Sequence, residues 1–363
     1  MPASRTVRAH GGPSLSRNIS STGANLAEGP TAGPGSSHDD PDPQVEQFSI
    51  SSFTFDRRSA AVPARSGGKS AGPSQRNRVT PMTTIANSEA AQIWDGPMGD
   101  HWAQEWDHYD RSLAAYHHHL LAAADLQPGA QALDIGCGNG RLTRDVAMAI
   151  GTGTATGLDL STAMVEKATE LARHQGVTNA RFVHADIQSH EFLPKTFDLA
   201  LSRFGAMFFA DPVAAFANVG NGCKPGARLT MVAWQPAAAN DWLVQIRGAL
   251  SSAGDLPPLP PTGSPGPFGL ADPDRTVALL TESGYTSVKL EALVEPIWSG
   301  NDPEDALRHH LSSPNLVGFF AGLNGERQDQ VLRALRQAFA DHWTAQGVVF
   351  ESAAWLIRAT WDR

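Results

Sequence analysis

The sequence predicts an α/β protein built on a seven-stranded, mostly parallel sheet with helices on both faces. Three observations predict it. Short apolar runs alternate with helix-period segments from about Ala130 to Trp234. The runs are almost continuously apolar, as strands covered on both sides require. Turn and cap signals fall between them, at Gly151, Gly176, Asp211-Pro212 and Pro225-Gly226.

The elements follow in order. Ser88 to Ala124 has a helical pattern, with Trp94, Trp102, Trp106 and Tyr109 near helical spacing and a break at Gly96-Pro97. Ala130 to Ile135 is the first strand, and Arg141 to Ile150 a helix with Leu142, Val146 and Ile150 on one side. Thr154 to Leu160 is the second strand. Ser161 caps the next helix, whose stripe is Met164, Ala168 and Leu171. Ala180 to Ala185 and Phe197 to Ser202 are strands three and four. Asp211 followed by Pro212 is a helix start: a capping carboxylate, then a residue whose missing N–H costs nothing there. Arg228 to Trp234 is the fifth strand. Beyond it the rhythm changes. Helices are expected at Asn240–Leu250, Pro273–Ser283 and from about Pro303 to Gly347, the last stretch grouped with Trp298, Phe319, Phe320 and Leu332. Strands are expected at Ser287–Val294 and Ala353–Trp361, and a proline-rich loop at Pro257–Pro267. Four segments result: a disordered extension (1–81), an N-terminal helical lid (82–129), the α/β core (130–236), and a C-terminal part (237–363) that completes the sheet and carries helical insertions.

Composition bounds the function. The chain has 363 residues, 41% of them hydrophobic, and a formal net charge of -9. An acidic chain is a poor partner for nucleic acid, whose phosphates demand a basic surface, although a local basic patch is still allowed. Two cysteines, Cys137 and Cys223, make no disulfide framework and no metal-ligand pair, which fits a reduced, cytoplasmic setting. No apolar run is long enough to span a bilayer, and the N-terminus lacks the apolar stretch of a secretory signal. Residues 1–81 hold nine Lys/Arg and six Asp/Glu, so +3 against -12 for the remainder. Their Gly, Ser, Pro and Arg cannot bury enough apolar area to offset chain entropy, and disorder is expected. Either the extension has no fold and Met82-Thr83-Thr84-Ile85 is an ordinary protein beginning, or the acid-free residues 1–27 belong to a transit peptide, against which Asp39, Asp40 and Asp42 stand.

The chemical signal is Leu133-Asp134-Ile135-Gly136-Cys137-Gly138-Asn139-Gly140, where a strand feeds a helix. Glycines there let the backbone bend tightly and approach a ligand, and the helix start presents its amides. A dinucleotide fingerprint, G-x-G-x-x-G, requires a third glycine where this chain has Arg141. The pattern instead resembles motif I of the class I methyltransferases that use S-adenosylmethionine (SAM), whose loop wraps the amino-acid end of SAM in a Rossmann-like fold.

That resemblance runs from about Ser88 to Arg363 and is closest over Ala130 to Pro236. It implies SAM as cofactor, with Asp134, Gly136, Gly138 and Gly140 in the loop. It implies that Asp159, with Leu160 beside it, accepts the ribose hydroxyls and that Met164 lies against the adenine. It further implies that Asp186, with Ile187, meets the adenine amino group, and that Ser202 lies near the methionine part. The stretch Ser202-Arg203-Phe204-Gly205-Ala206-Met207-Phe208-Phe209-Ala210-Asp211-Pro212 is similar to a bacterial branch related to the ubiquinone and menaquinone methyltransferases. Gly220-Asn221-Gly222-Cys223 departs from that pattern, which usually has helix formers there.

Plainer roles stand beside these. Asp134 can simply hold loop amides, Asp159 cap a helix, Asp186 end a strand and Met164 fill the core. Cys137 is packing beside the loop, although a helix start can lower a thiol pKa. In His117-His118-His119 consecutive side chains diverge around a helix, so a solvated face is expected rather than a metal site. His101 and His108 are the candidates for a general base, set against a core or surface role. Trp102 belongs to an aromatic stretch that, by resemblance, closes over SAM, where it excludes water and favours a sulfonium.

Methyl transfer from SAM needs positioning more than protein chemistry. Amide and adenine nitrogen acceptors are disfavoured, because Ser202-Arg203-Phe204-Gly205 replaces the Asn/Asp-Pro-Pro-Tyr such enzymes carry. Trp242, Trp298, Phe319 and Phe320 suggest an apolar pocket for a small methyl acceptor such as a quinone, phenol or polyketide. Two alternatives stay open: a SAM-binding protein without transferase activity, and a nucleotide-dependent oxidoreductase on the same kind of sheet.

Overall fold

A computed structural model describes residues 85–363. The expectation of a disordered extension over 1–81, and the alternative beginning at Met82, lie outside the described residues.

Four short helices precede the sheet: α1 (Ser88–Trp94), α2 (Pro97–Gln104), α3 (Trp106–Ser112) and α4 (Ala114–Ala123). Gly96-Pro97 makes the expected break, with Pro97 opening α2. The further breaks at Glu105 and Leu113 have no glycine or proline to announce them.

The alternation that follows is as predicted: β1 (Gln131–Ile135), α5 (Arg141–Ile150), β2 (Thr154–Asp159), α6 (Thr162–His174), β3 (Ala180–His184), β4 (Phe197–Arg203), α7 (Pro212–Gly222) and β5 (Cys223–Trp234). Capping matches the sequence signals. Ser161 accepts from the Met164 amide, and Asp211 from that of Ala214. Next come α8 (Asp241–Leu250), α9 (Pro273–Ser283), β6 (Tyr285–Gly300), α10 (Pro303–Ser312), α11 (Pro314–Ala321), α12 (Gly325–Asp341), β7 (Trp343–Thr344) and β8 (Gly347–Trp361).

The sheet order is β3-β2-β1-β4-β5-β8-β6. Neighbours from β3 to β5 are parallel, and β8 runs antiparallel to both β5 and β6. The seven expected strands are present, and β7, a two-residue flap on β8, is an eighth too short to announce itself. Strand order reverses between β1 and β4, opening a crevice at their carboxyl ends where α/β sheets bind ligands.

Two differences stand out beyond β1–β5. The last two long strands extend well past the predicted runs. Trp298, grouped by sequence with the following helices, sits near the end of β6. The insertion also has its own core, with Ile246, Leu307, Val331, Leu335, Phe339 and Phe350 buried apart from the main core. The glycines at the end of α7 have a packing reason. A Cβ on Gly220 would lie 2.3 Å from the Trp361 ring, and one on Gly222 would lie 2.9 Å from Phe192. The helix keeps its full eleven residues.

Candidate functional site

The loop from β1 to α5 is shaped by left-handed glycines: φ is +64° at Gly136, +53° at Gly138 and +75° at Gly140. It is pressed against the tip of β4. A Cβ on Gly136 would sit 2.8 Å from the Gly205 Cα, and one on Gly205 would sit 2.6 Å from the Ile135 oxygen. Ser202 is fully buried and ties the two strand tips. Its hydroxyl donates to the Ile135 carbonyl (2.8 Å) and accepts from the Ala206 amide (3.0 Å). Met164 is buried, its methyl group 3.1 Å from where a Gly138 Cβ would be.

The three acids occupy three strand tips. Asp134 is buried at the end of β1, and its Oδ2 accepts from Thr143 (2.6 Å). Burial pushes its carboxyl up to about 6, with the charge of Asp159 adding to the effect. Asp159 ends β2 facing the loop, accepting from the Gly138 amide (2.8 Å) and the Ser161 amide (2.9 Å). Burial raises its pKa against those hydrogen bonds. Leu160 beside it is half-buried, its carbonyl bound by His184 (2.8 Å). Asp186 lies past β3 with Ile187 buried next to it. Its Oδ2 accepts from both the Ala86 and Asn87 amides (2.7 Å each) and its Oδ1 from Gln188 (2.9 Å). The entry to α1 is thus anchored on this carboxylate, which sequence reasoning assigned to the adenine.

The aromatic stretch forms a cover. Trp102 is half-buried and stacks on Tyr109 at 3.6 Å between ring centres, with Trp94 edge-on at 5.6 Å. Trp94 in turn meets Phe208, in the loop after β4. The Trp106 carbonyl accepts from Asn139 of the glycine loop (3.3 Å), which binds the cover to the site.

His101 and His108 are brought together with a third histidine. His101 Nε2 lies 3.1 Å from the Tyr109 hydroxyl. His108 stacks on His309 of α10 at 3.3 Å and packs on Trp298. His309 Nδ1 faces Glu105 at 3.4 Å. Burial and neighbouring histidines press His108 down to about 3 and His309 to about 4, so both rings are neutral near pH 7. Arg111 lies over the Trp298 ring at 3.7 Å and donates to Asn301. Among the described residues, no group of three or more His, Cys, Asp or Glu is placed to hold a metal ion.

One sequence expectation is corrected and one, the packing role of Cys137, is borne out. His117 is buried, not solvated, with Nε2 2.8 Å from Asp145. Cys137 is buried, and burial with the charges of Asp159 and Asp134 drives its thiol well above the ordinary range. The helix start does not activate it.

Residues 132–226 match a family described as a methyltransferase domain, a span that contains the glycine loop and all three acids. Over this span the chain matches a methyltransferase domain, in keeping with the class I, SAM-dependent pattern its glycine loop resembles. An uncharacterised protein of Mycobacterium tuberculosis is 30% identical over 115 residues, which are 32% of this chain and 41% of that protein. The demethylmenaquinone methyltransferase of Anoxybacillus flavithermus is 30% identical over 132 residues, 34% of this chain and 56% of that enzyme. A solved structure of Haemonchus contortus phosphoethanolamine N-methyltransferase 2 in complex with SAM is 16% identical, with a TM-score of 0.49. The alignment covers 77% of this chain and 61% of that one. The match to a methyltransferase family over the glycine loop does not favour the oxidoreductase alternative.

In the methyltransferase domain and its cover, sequence reasoning missed Glu105, Asp110, Arg111 and His309. None carries a local signal, and only partners nearly a hundred or more residues away give each a place. Trp242, expected in the acceptor pocket, donates its indole N–H to Asn240 and packs on Trp234 in the main core. Phe319 and Phe320 pack against the core of the insertion. Among the described residues, no helix is long and apolar enough to cross a membrane.

Proposed function

We propose that the protein transfers the methyl group of SAM to a small apolar or aromatic acceptor. The observation that carries the donor half is the cradle itself. Three positive-φ glycines bend β1 into α5 so closely that no Cβ fits at Gly136, and Asp159 fastens the loop from the next strand. Buried carboxyl oxygens at the strand tips suit a cationic, hydroxyl-bearing ligand. Asp134 and the loop glycines would hold the amino-acid end, Asp159 and Leu160 the ribose, Met164 and Ile187 the adenine faces. Asp186 keeps one oxygen with acceptor capacity for the adenine amino group. Ser202 positions the two strand tips. Bound SAM supplies a methyl already activated on a sulfonium, so the chain's work is alignment and exclusion of water.

The acceptor side would lie under the cover, where Trp298, Tyr109 and Trp102 offer aromatic surface and His108 and His309 are neutral. His101 remains a candidate for receiving a proton where the acceptor loses one, whereas His108, pressed down to about 3, is too weak a base for that step. The segments 82–129, 130–236 and 237–363 then serve as lid, donor core and acceptor part, and the partner is a small molecule rather than nucleic acid. The test is a panel of quinones, phenols, polyketides, proteins and nucleic acids with methyl-labelled SAM. Label on a small aromatic acceptor is expected. Label only on protein or nucleic acid overturns the acceptor reading, and SAM binding without any turnover would favour a SAM-binding protein instead.

A further inference from the structure

Buried polar atoms without partners are rare in folded proteins, and a cluster of them calls for an explanation. Five of them gather beside the glycine loop: Asp110 Oδ2, His117 Nδ1, Asp134 Oδ1, Arg144 Nη2 and Arg203 Nη1. Their side chains come from α3, α4, β1, α5 and β4. Arg203 and Asp110 form an ion pair at 2.7 Å, with side chains only 11% and 5% exposed. Each has spent one arm on the other, and each keeps one free.

The sheet register aims this pair at the donor site. Asp134 pairs with Leu201, so Arg203, two residues on, projects from the same face of the sheet. The Arg203 charge acts on Asp134, and the Asp110 charge acts on Arg144. Arg144 itself grips the loop through the Asn139 carbonyl (2.5 Å). The cluster is already balanced: Asp110, Asp134 and Asp145 oppose Arg141, Arg144 and Arg203. A simple anion or cation would leave it unbalanced. A zwitterion would not.

We propose that Arg203 and Asp110 hold the amino-acid end of the methyl donor, the free guanidinium nitrogen taking its α-carboxylate and the free carboxyl oxygen its α-ammonium. Asp134 Oδ1 shares the ammonium. The proposal rests on the donor reading above and adds to it two residues that no glycine-loop pattern contains. It also explains why an aspartate of the cover, rather than of the sheet, is buried against β4: closing α3 completes the clamp.

The test compares two ligands by calorimetry. S-Adenosylhomocysteine carries the amino-acid end, and 5′-methylthioadenosine lacks it. Arg203→Gln is the direct variant. Because it leaves Asp110 buried without its partner, the double variant D110N/R203Q, which keeps a neutral hydrogen-bonded pair, is measured beside it. Affinity for S-adenosylhomocysteine should fall on the order of 30-fold or more, since two charge-assisted hydrogen bonds are lost. Affinity for 5′-methylthioadenosine should stay within about twofold. Equal losses for both ligands, or no loss for either, overturn the clamp while leaving the donor reading intact. Wild-type protein that binds neither ligand overturns the donor reading and the clamp with it.

Discussion

The two sides of the crevice are built in different ways. The donor side is mostly backbone: three glycines, two strand tips and a helix start, joined by hydrogen bonds that span 21 residues between Gly138 and Asp159 and 67 between Ile135 and Ser202. The cover side is mostly side chain: rings and ions from α2, α3, β6 and α10, joined across as many as 204 residues, as between Glu105 and His309. The first tolerates almost no change, because a Cβ has nowhere to go. The second can exchange one ring for another of similar size. A common donor and a variable acceptor would impose just that division.

The largest expected effect tests the rigid side. Gly136→Val puts a branched side chain at φ +64° and against the Gly205 backbone. It should cost roughly 3 kcal/mol or more in urea unfolding and abolish S-adenosylhomocysteine binding. A stable, binding variant would erase the distinction between the two sides. Next, Asp159→Ala should weaken S-adenosylhomocysteine by about 100-fold, with a stability loss near ~1 kcal/mol for the hydrogen bonds to Gly138 and Ser161. Unchanged affinity in a titration would remove the ribose assignment.

The third prediction concerns pH and the cover. His108, His309 and His310 are held below the ordinary histidine range, His310 also at about 4, mainly by burial. Lowered folded pKa values mean that the unfolded chain binds more protons in this window. Their contribution to stability is therefore complete above about 6.5 and is lost as pH falls toward 4. The melting temperature should drop by on the order of 5 °C across that range, and His108→Gln should make the slope shallower. An unchanged slope in that variant would mean the stack on His309 does not govern it. Smallest is Arg111→Met, which removes the cation over Trp298. About 0.5–1 kcal/mol of stability should go, while S-adenosylhomocysteine affinity holds within about twofold. A larger loss of donor affinity would show that the two sides are coupled.

Much of the donor side was legible because its causes are local. The bends at Gly136, Gly138 and Gly140 and the caps at Ser161 and Asp211 act within a few residues of themselves, and Asp134 and Asp159 reach partners only 9 and 21 residues away. Although β3, at the sheet edge, is mostly exposed, the strands β1, β4 and the second half of β5 were equally plain, since burial on both faces makes each largely apolar. The limits of β6 and β8 were not. Those strands run on past their apolar stretches, held by pairing with each other from Tyr285–Trp361 to Gly300–Val348. His117 was misjudged for the same reason: His118 beside it is exposed, while its partner Asp145 lies on another helix.

What sequence alone determined is the α/β core, the glycine bend between β1 and α5 and the acids at the strand tips. These depend on backbone conformation and on polarity that alternates over short spans. Tertiary structure decided which face of the sheet Arg203 shares with Asp134, which carboxylate from α3 meets it, and which rings close the cover. Those choices depend on register and helix packing between distant segments, where many residues would satisfy the local rules and only the folded arrangement selects one.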